Sequence, residues 1–245
     1  MGVPARAFTV GLACCAALAL ASCEANSSTG TSAASRSMSG PADEPSAESL
    51  TSSMQSSVRN ASGVHVSGQL SRDGVPLGID LNLTRDGDAA GTISQRGTPL
   101  HVIAANSKIY IEVTPAFLRE TRMPAAACAR ACGKWIELTQ GQASQLTGEL
   151  SMQKLLTPLM FGQAPASGHA PKLTTAGRTT VHGQPAWVLR ASDGSTVAVS
   201  AAAQHYPLVA RSGRTQQQVV TFSQWNSVPA PTPPPASQLL HLNGG

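Results

Sequence analysis

Leu50, Met54 and Val58 recur every four residues, and from Gly63 onward the apolar spacing drops to two. The first pattern predicts one amphipathic helix ending near Arg59. Asp43 and Glu44 favour its positive end, and Pro45 suits its first turn. The second pattern predicts strands. Val64, Val66 and Leu70 alternate with His65, Ser67 and Gln69, and Ile79, Leu81 and Leu83 alternate with Asp80, Asn82 and Thr84. Asp73-Gly74 between them is a tight-turn signal. Asp86-Gly87, Arg96-Gly97 and Asn106-Ser107 then separate strand-like segments at 91–95, 99–104 and 108–113.

Residues 114–132 read as irregular, 134–138 as a short strand, and 142–161 as a second helix with Leu146, Leu150, Leu155, Leu159 and Met160 as its apolar set. Pro158 is expected to kink or end that helix. A loop is expected over 162–171. Strands follow at 173–182, 185–191, 195–201, 206–211 and 215–223. Their turns fall at His182-Gly183, Asp193-Gly194, Ala203-Gln204 and Ser212-Gly213. Residues 229–235 are proline-rich and predicted to be extended. The repeats are too short for parallel crossovers, so the sheet is antiparallel. Two helices cannot cover a flat sheet of ten or eleven strands. The prediction is therefore a mainly β (α+β) fold: a strongly curved half-barrel wrapped around two or more helices.

Composition narrows the function. Charged residues make up 12% of the chain and aromatics 4%, and the net charge is +4. The basic residues are scattered, which argues against nucleic-acid binding. The N-terminus changes the picture more. Arg6 precedes an apolar run from Ala7 to Ala19, the length of a signal h-region and too short to span a ~30 Å hydrocarbon core. The run ends in Leu20-Ala21-Ser22-Cys23, which resembles the bacterial lipobox. That resemblance implies cleavage after residue 22 and a diacylglycerol on Cys23. The chain would be held at the outer face of the cytoplasmic membrane, with each buried acyl methylene contributing roughly 0.8 kcal/mol. Loss of Arg6 with the signal lowers the charge by one, to +3. Residues 23–44 carry almost no large apolar side chain and read as a flexible linker. The folded domain is expected over 45–228, with 229–245 as a tail.

After the anchor only Cys128 and Cys132 remain. In an oxidising compartment an isolated pair reads as a disulfide. A redox pair would usually have two intervening residues, where this one has three. A zinc site would need a second Cys/His pair.

Several phrases, in order, resemble the LppX/LprG-type actinobacterial lipoproteins, which share a half-barrel with LolA-like carriers. They are Gly91-Thr92-Ile93, Ile109-Tyr110-Ile111 with Phe117, Gly133-Lys134-Trp135, Gly183-Gln184-Pro185-Ala186, Tyr206-Pro207-Leu208 and Phe222-Ser223-Gln224-Trp225-Asn226. The resemblance covers roughly residues 46–228. It implies eleven strands curled around helices, an apolar cavity between them, and an acylated lipid or glycolipid as ligand. The Cys128–Cys132 insert, near the expected mouth, departs from it. The cavity it implies would be lined by Val66, Leu70, Ile79, Leu81, Leu83, Ile93, Val102, Ile109, Ile111, Leu150, Leu155, Leu159, Trp187, Leu189, Val199 and Phe222. The competing reading makes these residues a closed core.

No motif supports an enzyme. Nucleophile elbow, zinc-binding helix and phosphate-cradling loop are all missing from the sequence. The histidines at 65, 101, 169, 182, 205 and 241 are scattered, and Asp80 and Glu112 read as lone strand carboxylates. No metal or cofactor is expected. Two functions follow: a membrane-anchored carrier of an acylated lipid, or an envelope lipoprotein that binds a transporter or sensor protein and holds no lipid.

Overall fold

The computed structural model describes residues 44–72, 75–139, 152–161, 172–213 and 218–240, all within the compact unit Asp43–Gly245. The signal, Cys23, the linker up to residue 43, the Asp73-Gly74 turn, residues 142–151 with Leu150, the 162–171 loop, His169 and His241 lie outside the described residues.

Helix α1 spans Ala47–Asn60. Its cap is Ser46, whose hydroxyl accepts the Ser49 N–H at 3.1 Å. Pro45 therefore precedes the cap instead of entering the first turn, because a serine oxygen can satisfy an orphan N–H and proline cannot. At the other end the Arg85 guanidinium donates to the carbonyls of Asn60 and Ala61, where the helix dipole favours a cation. Leu50, Met54 and Val58 form the buried stripe.

Among the described residues, eleven strands make one antiparallel sheet. They are β1 (Gly63–Arg72), β2 (Val75–Thr84), β3 (Ala89–Gln95), β4 (Thr98–Ala105), β5 (Lys108–Glu112), β6 (Trp135–Glu137), β7 (Leu173–Val181), β8 (Gln184–Ala191), β9 (Thr196–Ser200), β10 (Pro207–Arg211) and β11 (Val219–Ser223). Their spatial order is β6-β5-β4-β3-β2-β1-β11-β10-β9-β8-β7. The sheet is two meanders joined where β1 pairs with β11, and it is curved and unclosed. Three hairpins turn on paired left-handed residues: Arg96-Gly97, Asn106-Ser107 and His182-Gly183. That geometry matches the twist of the strands it joins.

The stretch read as irregular contains helix instead. Helix α2 (Pro115–Glu120) follows a Thr114 cap with proline at its start, and a four-residue α3 (Cys128–Ala131) comes after a short 3-10 turn at Ala125–Ala127. Both helices are too short to show a period. Thr114-Pro115 was the available signal. Helix α4 spans Met152–Phe161 and continues past Pro158 instead of ending there. Pro158 and Lys154, four residues before it, are both exposed, so the carbonyl that loses its N–H partner can turn to water.

Leu50, Met54 and Val58 of α1 share one core with Met152, Leu156 and Met160 of α4 and the inward residues of the sheet. Helix α1 packs on β7, α4 on β10 and α2 on β4. Among the described residues no polar or charged residue is buried. The three-residue edge strand β6 is tied to β5 by the Lys108–Glu137 pair, at 2.9 Å. The hydrogen bond that the Lys108 ammonium donates to the Glu137 carboxylate raises the lysine pKa above its usual value. On its outer side Leu239 bridges Trp135, and the Leu240 N–H donates to the Trp135 carbonyl at 2.8 Å. The C-terminal segment thus returns to shield a sheet edge, a place where unpaired strand groups invite aggregation.

Two glycines let the sheet curl. Gly68 pairs with Ile79 and Val220, and Gly91 with Leu81 and Val102, so both sit at inward-facing positions. Their φ values are +157° and +147°. A Cβ on Gly68 would overlap the Val219 carbonyl oxygen, and one on Gly91 the Asp80 carbonyl oxygen. Glycines at such points are how curved sheets bend. Gly91→Val is expected to lower stability by roughly 2–4 kcal/mol. Gly87→Ala, at φ +91° with open space around it, should cost only about 1 kcal/mol. Urea unfolding of the two variants measures the difference, and equal losses would remove the steric account.

Candidate functional site

Between the N-terminal half of the sheet, α2 and α4 lies a cavity of about 820 Å³. Its floor follows β2. Val75, Leu77, Ile79, Leu81 and Leu83 point the same way by strand alternation, and all five line it. Val66 and Leu70 join them from β1, Ile93 from β3 and Leu100 from β4. The register explains the set: Val66 lies opposite Leu81, Leu70 opposite Leu77, Ile79 opposite Ile93, and Ile93 opposite Leu100. Leu155 and Leu159 of α4 and Phe117 of α2 close the other side.

One end is polar. Gln95, Arg96, Thr98, Glu120 and Thr121 border the cavity there. Gln95 and Arg96 are placed by the β3–β4 turn, next to Leu77 and Pro76 of β2. Glu120 and Thr121 are placed by α2, whose start is fixed by the Thr114 hydroxyl accepting the Phe117 N–H at 3.1 Å. The Thr98 hydroxyl donates to Glu120 Oε1 at 3.4 Å, linking β4 to α2 across the rim. The opposite end is deep: Val66, Leu81 and Leu83 are almost fully buried.

Of the sixteen residues named from the sequence, Leu150 lies outside the described residues and the other fifteen fall into two groups. Val66, Leu70, Ile79, Leu81, Leu83, Ile93, Leu155 and Leu159 border the cavity. Val102, Ile109, Ile111, Trp187, Leu189, Val199 and Phe222 do not; they are packed into the core or against it. They face inward as expected. Alternation fixes the face of a residue, however, and not which part of that face a helix fills, and α1 and α4 pack on the β7 and β10 side. Sequence reasoning missed Val75 and Leu77, which continue the β2 alternation across Pro76, as well as Leu100, Phe117 and the whole polar rim.

Cys128 and Cys132 are disulfide-bonded, with Cα atoms 4.7 Å apart. They bracket α3 and do not line the cavity, although the 3-10 turn before them packs on α2.

The outer face of the sheet brings together three residues that the sequence kept apart. His65 Nδ1 lies 3.1 Å from Ser223 Oγ, and His65 Nε2 lies 2.9 Å from Asp80 Oδ1. Asp80 is thus paired, not lone. The order Ser–His–Asp is that of a nucleophilic triad. Here it spans β11, β1 and β2 on the face opposite the cavity, with the Asp80 side chain 70% exposed. It reads as a cross-strand hydrogen-bond ladder.

These elements define a class: an open antiparallel half-barrel with an apolar cavity between sheet and helices. No protein-family model and no curated protein sequence matches the chain. Among solved structures it is similar to the crystal structure of the Mycobacterium tuberculosis lipoprotein LppX, at 14% identity and a TM-score of 0.44, over 73% of this chain and 94% of that one.

If the disulfide only pins the α3 turn, replacing both cysteines by serine should cost no more than about 2 kcal/mol. Ligand uptake should be unchanged. Urea unfolding and uptake measured on the same variant check this, and lost uptake in a folded protein would tie the bridge to the rim.

Proposed function

We propose that this chain is an extracytoplasmic lipoprotein, anchored through Cys23, that carries an acylated lipid between its sheet and helices. The observation that supports this most is the elongated apolar cavity with its polar groups gathered at one end. Acyl methylenes would lie along the β2 floor, each contributing about 0.8 kcal/mol on leaving water. A headgroup would stay among Gln95, Arg96, Thr98, Glu120 and Thr121. The cavity volume lies within the ~300–1,000 Å³ range of ordinary ligand sites. A ligand-free protein-binding lipoprotein would more naturally have a filled core.

Native mass spectrometry of the Cys23→Ala chain, exported from a lipid-containing host, tests the reading. The expected result is an added mass that denaturation releases and that fragments as an acyl lipid. A clean apo mass, unchanged after incubation with lipids from the native membrane, would favour the protein-binding function. Leu155→Trp should abolish the adduct while leaving the unfolding midpoint near that of the parent chain, because Leu155 is half-buried at the cavity wall and not in the packed core. Parent-like uptake by that variant would count against the cavity as the site.

A further inference from the structure

The strand register gives the sheet two distinct ends. Leu77 pairs with Gln95 and Val75 with Arg72, so the polar rim marks one end, and Leu83 with Ala89 marks the other. Strand β5 runs toward the rim end, since Ala105 pairs with Lys108 and Val102 with Ile111. Strand β6 starts from that same end, with Trp135 opposite Glu112. Between them the Val113 N–H donates to the Lys134 carbonyl at 2.8 Å and the Gly133 N–H to the Val113 carbonyl at 3.0 Å. The whole excursion 113–134, with α2, the 3-10 turn and α3, therefore projects from the end where the cavity opens.

This excursion is basic. Arg119, Arg122, Arg130 and Lys134 are exposed, and Glu120 is its one acid. Arg96, on the β3–β4 turn, adds a fifth cation at the rim. Among the described residues the ion pairs are His65–Asp80 and Lys108–Glu137, so all five cations stand unpaired. The opposite end differs. Its β2–β3 turn carries Asp86 and Asp88, and the Arg85 guanidinium there is taken up by the carbonyls of Asn60 and Ala61.

The excursion also presents an apolar tip. Met123 is 45% exposed and is the one exposed large apolar side chain among the described residues. Pro124, Ala125 and Ala126 after it are exposed as well. The tip is fixed: the Met123 N–H donates to the Leu118 carbonyl at 2.8 Å, and the Cys128–Cys132 bridge closes α3 behind it. An apolar side chain held out in water between cations is the composition that seats a segment at a membrane interface, where apolar burial and attraction to anionic headgroups add.

We infer that the excursion 113–134 docks the domain on an anionic bilayer surface, with Met123 entering the interface and Arg119, Arg122 and Arg130 meeting lipid phosphates. The inference rests on the carrier reading for what docking serves, which is to bring the rim against the bilayer that supplies or receives the lipid. That placement beside the rim favours a bilayer over an acidic protein as the occupant. A basic side chain near an anionic leaflet strengthens attachment roughly fivefold, so four against one acid give a preference on the order of a hundredfold over a neutral surface.

The test uses residues 24–245, oxidised, which hold the whole compact unit Asp43–Gly245 and lack both signal and anchor, so neither supplies membrane affinity. Sedimentation compares vesicles of phosphatidylcholine with vesicles of phosphatidylcholine and phosphatidylglycerol in equal parts. The chain should bind the second at least tenfold more tightly, and salt at about 1 M, where the Debye length falls to ~3 Å, should remove most of that preference. Arg119→Gln, Arg122→Gln and Arg130→Gln together should abolish the preference while leaving the urea midpoint and the acyl adduct unchanged, because none of the three lines the cavity. A fluorophore that brightens in apolar surroundings should respond to the anionic vesicles on Met123→Cys. It should not respond on Ala203→Cys, in the turn between β9 and β10 at the opposite end. Equal binding to both vesicles, no binding to either, or an unchanged preference in the triple variant would overturn the docking surface. Loss of the adduct together with vesicle binding in a folded triple variant would assign these arginines to the cavity and overturn it too. Selective vesicle binding by a chain that never carries an adduct would uphold the docking surface and overturn only the carrier reading.

Discussion

A strand shows only every second residue to one face, and eleven strands lay down more inward apolar surface than the helices can cover. Everything else in this fold follows from that mismatch. Flat, the sheet would leave much of its apolar face in water. Closed, it would have to be filled. It curls part of the way, and α1 and α4 fill the half built from the C-terminal meander. Over β1–β4 the surface left uncovered becomes the cavity wall.

Curling has a local requirement. Inward side chains crowd as a sheet bends toward them, and at Gly68 and Gly91 the neighbouring backbone comes so close that no Cβ fits. Both glycines sit within the strands that form the cavity floor and its flanks. The feature that bends the sheet is therefore part of the site, and the site's shape is a property of backbone geometry before it is one of side chains. Opening the sheet leaves edges at β6 and β7. The chain spends its last described residues on β6, where Leu240 donates to Trp135.

Much of the fold was legible because its signals are local. Alternation and the Asp-Gly, Arg-Gly and His-Gly turns fix strand count and hairpin order, and the four-residue spacing of Leu50, Met54 and Val58 fixes α1. The curvature could be argued from counting surfaces. Legibility failed where short elements carry no period, as in α2 and α3, and where a capping hydroxyl decided a boundary, as at Ser46. For the site, alternation found the inward face and therefore eight of the lining residues. It could not separate Ile79, on the cavity, from Val199, under a helix, since that depends on where α1 and α4 settle. The polar rim was invisible for a different reason. Arg96 and Glu120 are 24 residues apart and belong to a turn and a helix that meet only through tertiary packing.

The rim matters more than its size suggests, because apolar burial alone cannot give a lipid carrier direction. An acyl chain in a bilayer is already out of water, and moving it into an apolar cavity exchanges one dry environment for another. The gain of about 0.8 kcal/mol per methylene is measured against water, so it nearly cancels between membrane and protein. What such a cavity would supply, on the proposed carrier reading, is a path along which the chain is never hydrated. The balance between holding and releasing then falls to groups whose surroundings do change on transfer, and these are the polar ones. In this chain they stand at one end of the cavity, one cation and one carboxylate with Gln95, Thr98 and Thr121 between them. Thr98 already ties the Glu120 carboxylate to β4, which leaves the Arg96 guanidinium, in an exposed turn, as the group best placed to meet a headgroup first. On the proposed carrier reading, a sheet floor that holds acyl chains and a rim that meets headgroups would divide the labour, because floor and rim come from different parts of the chain.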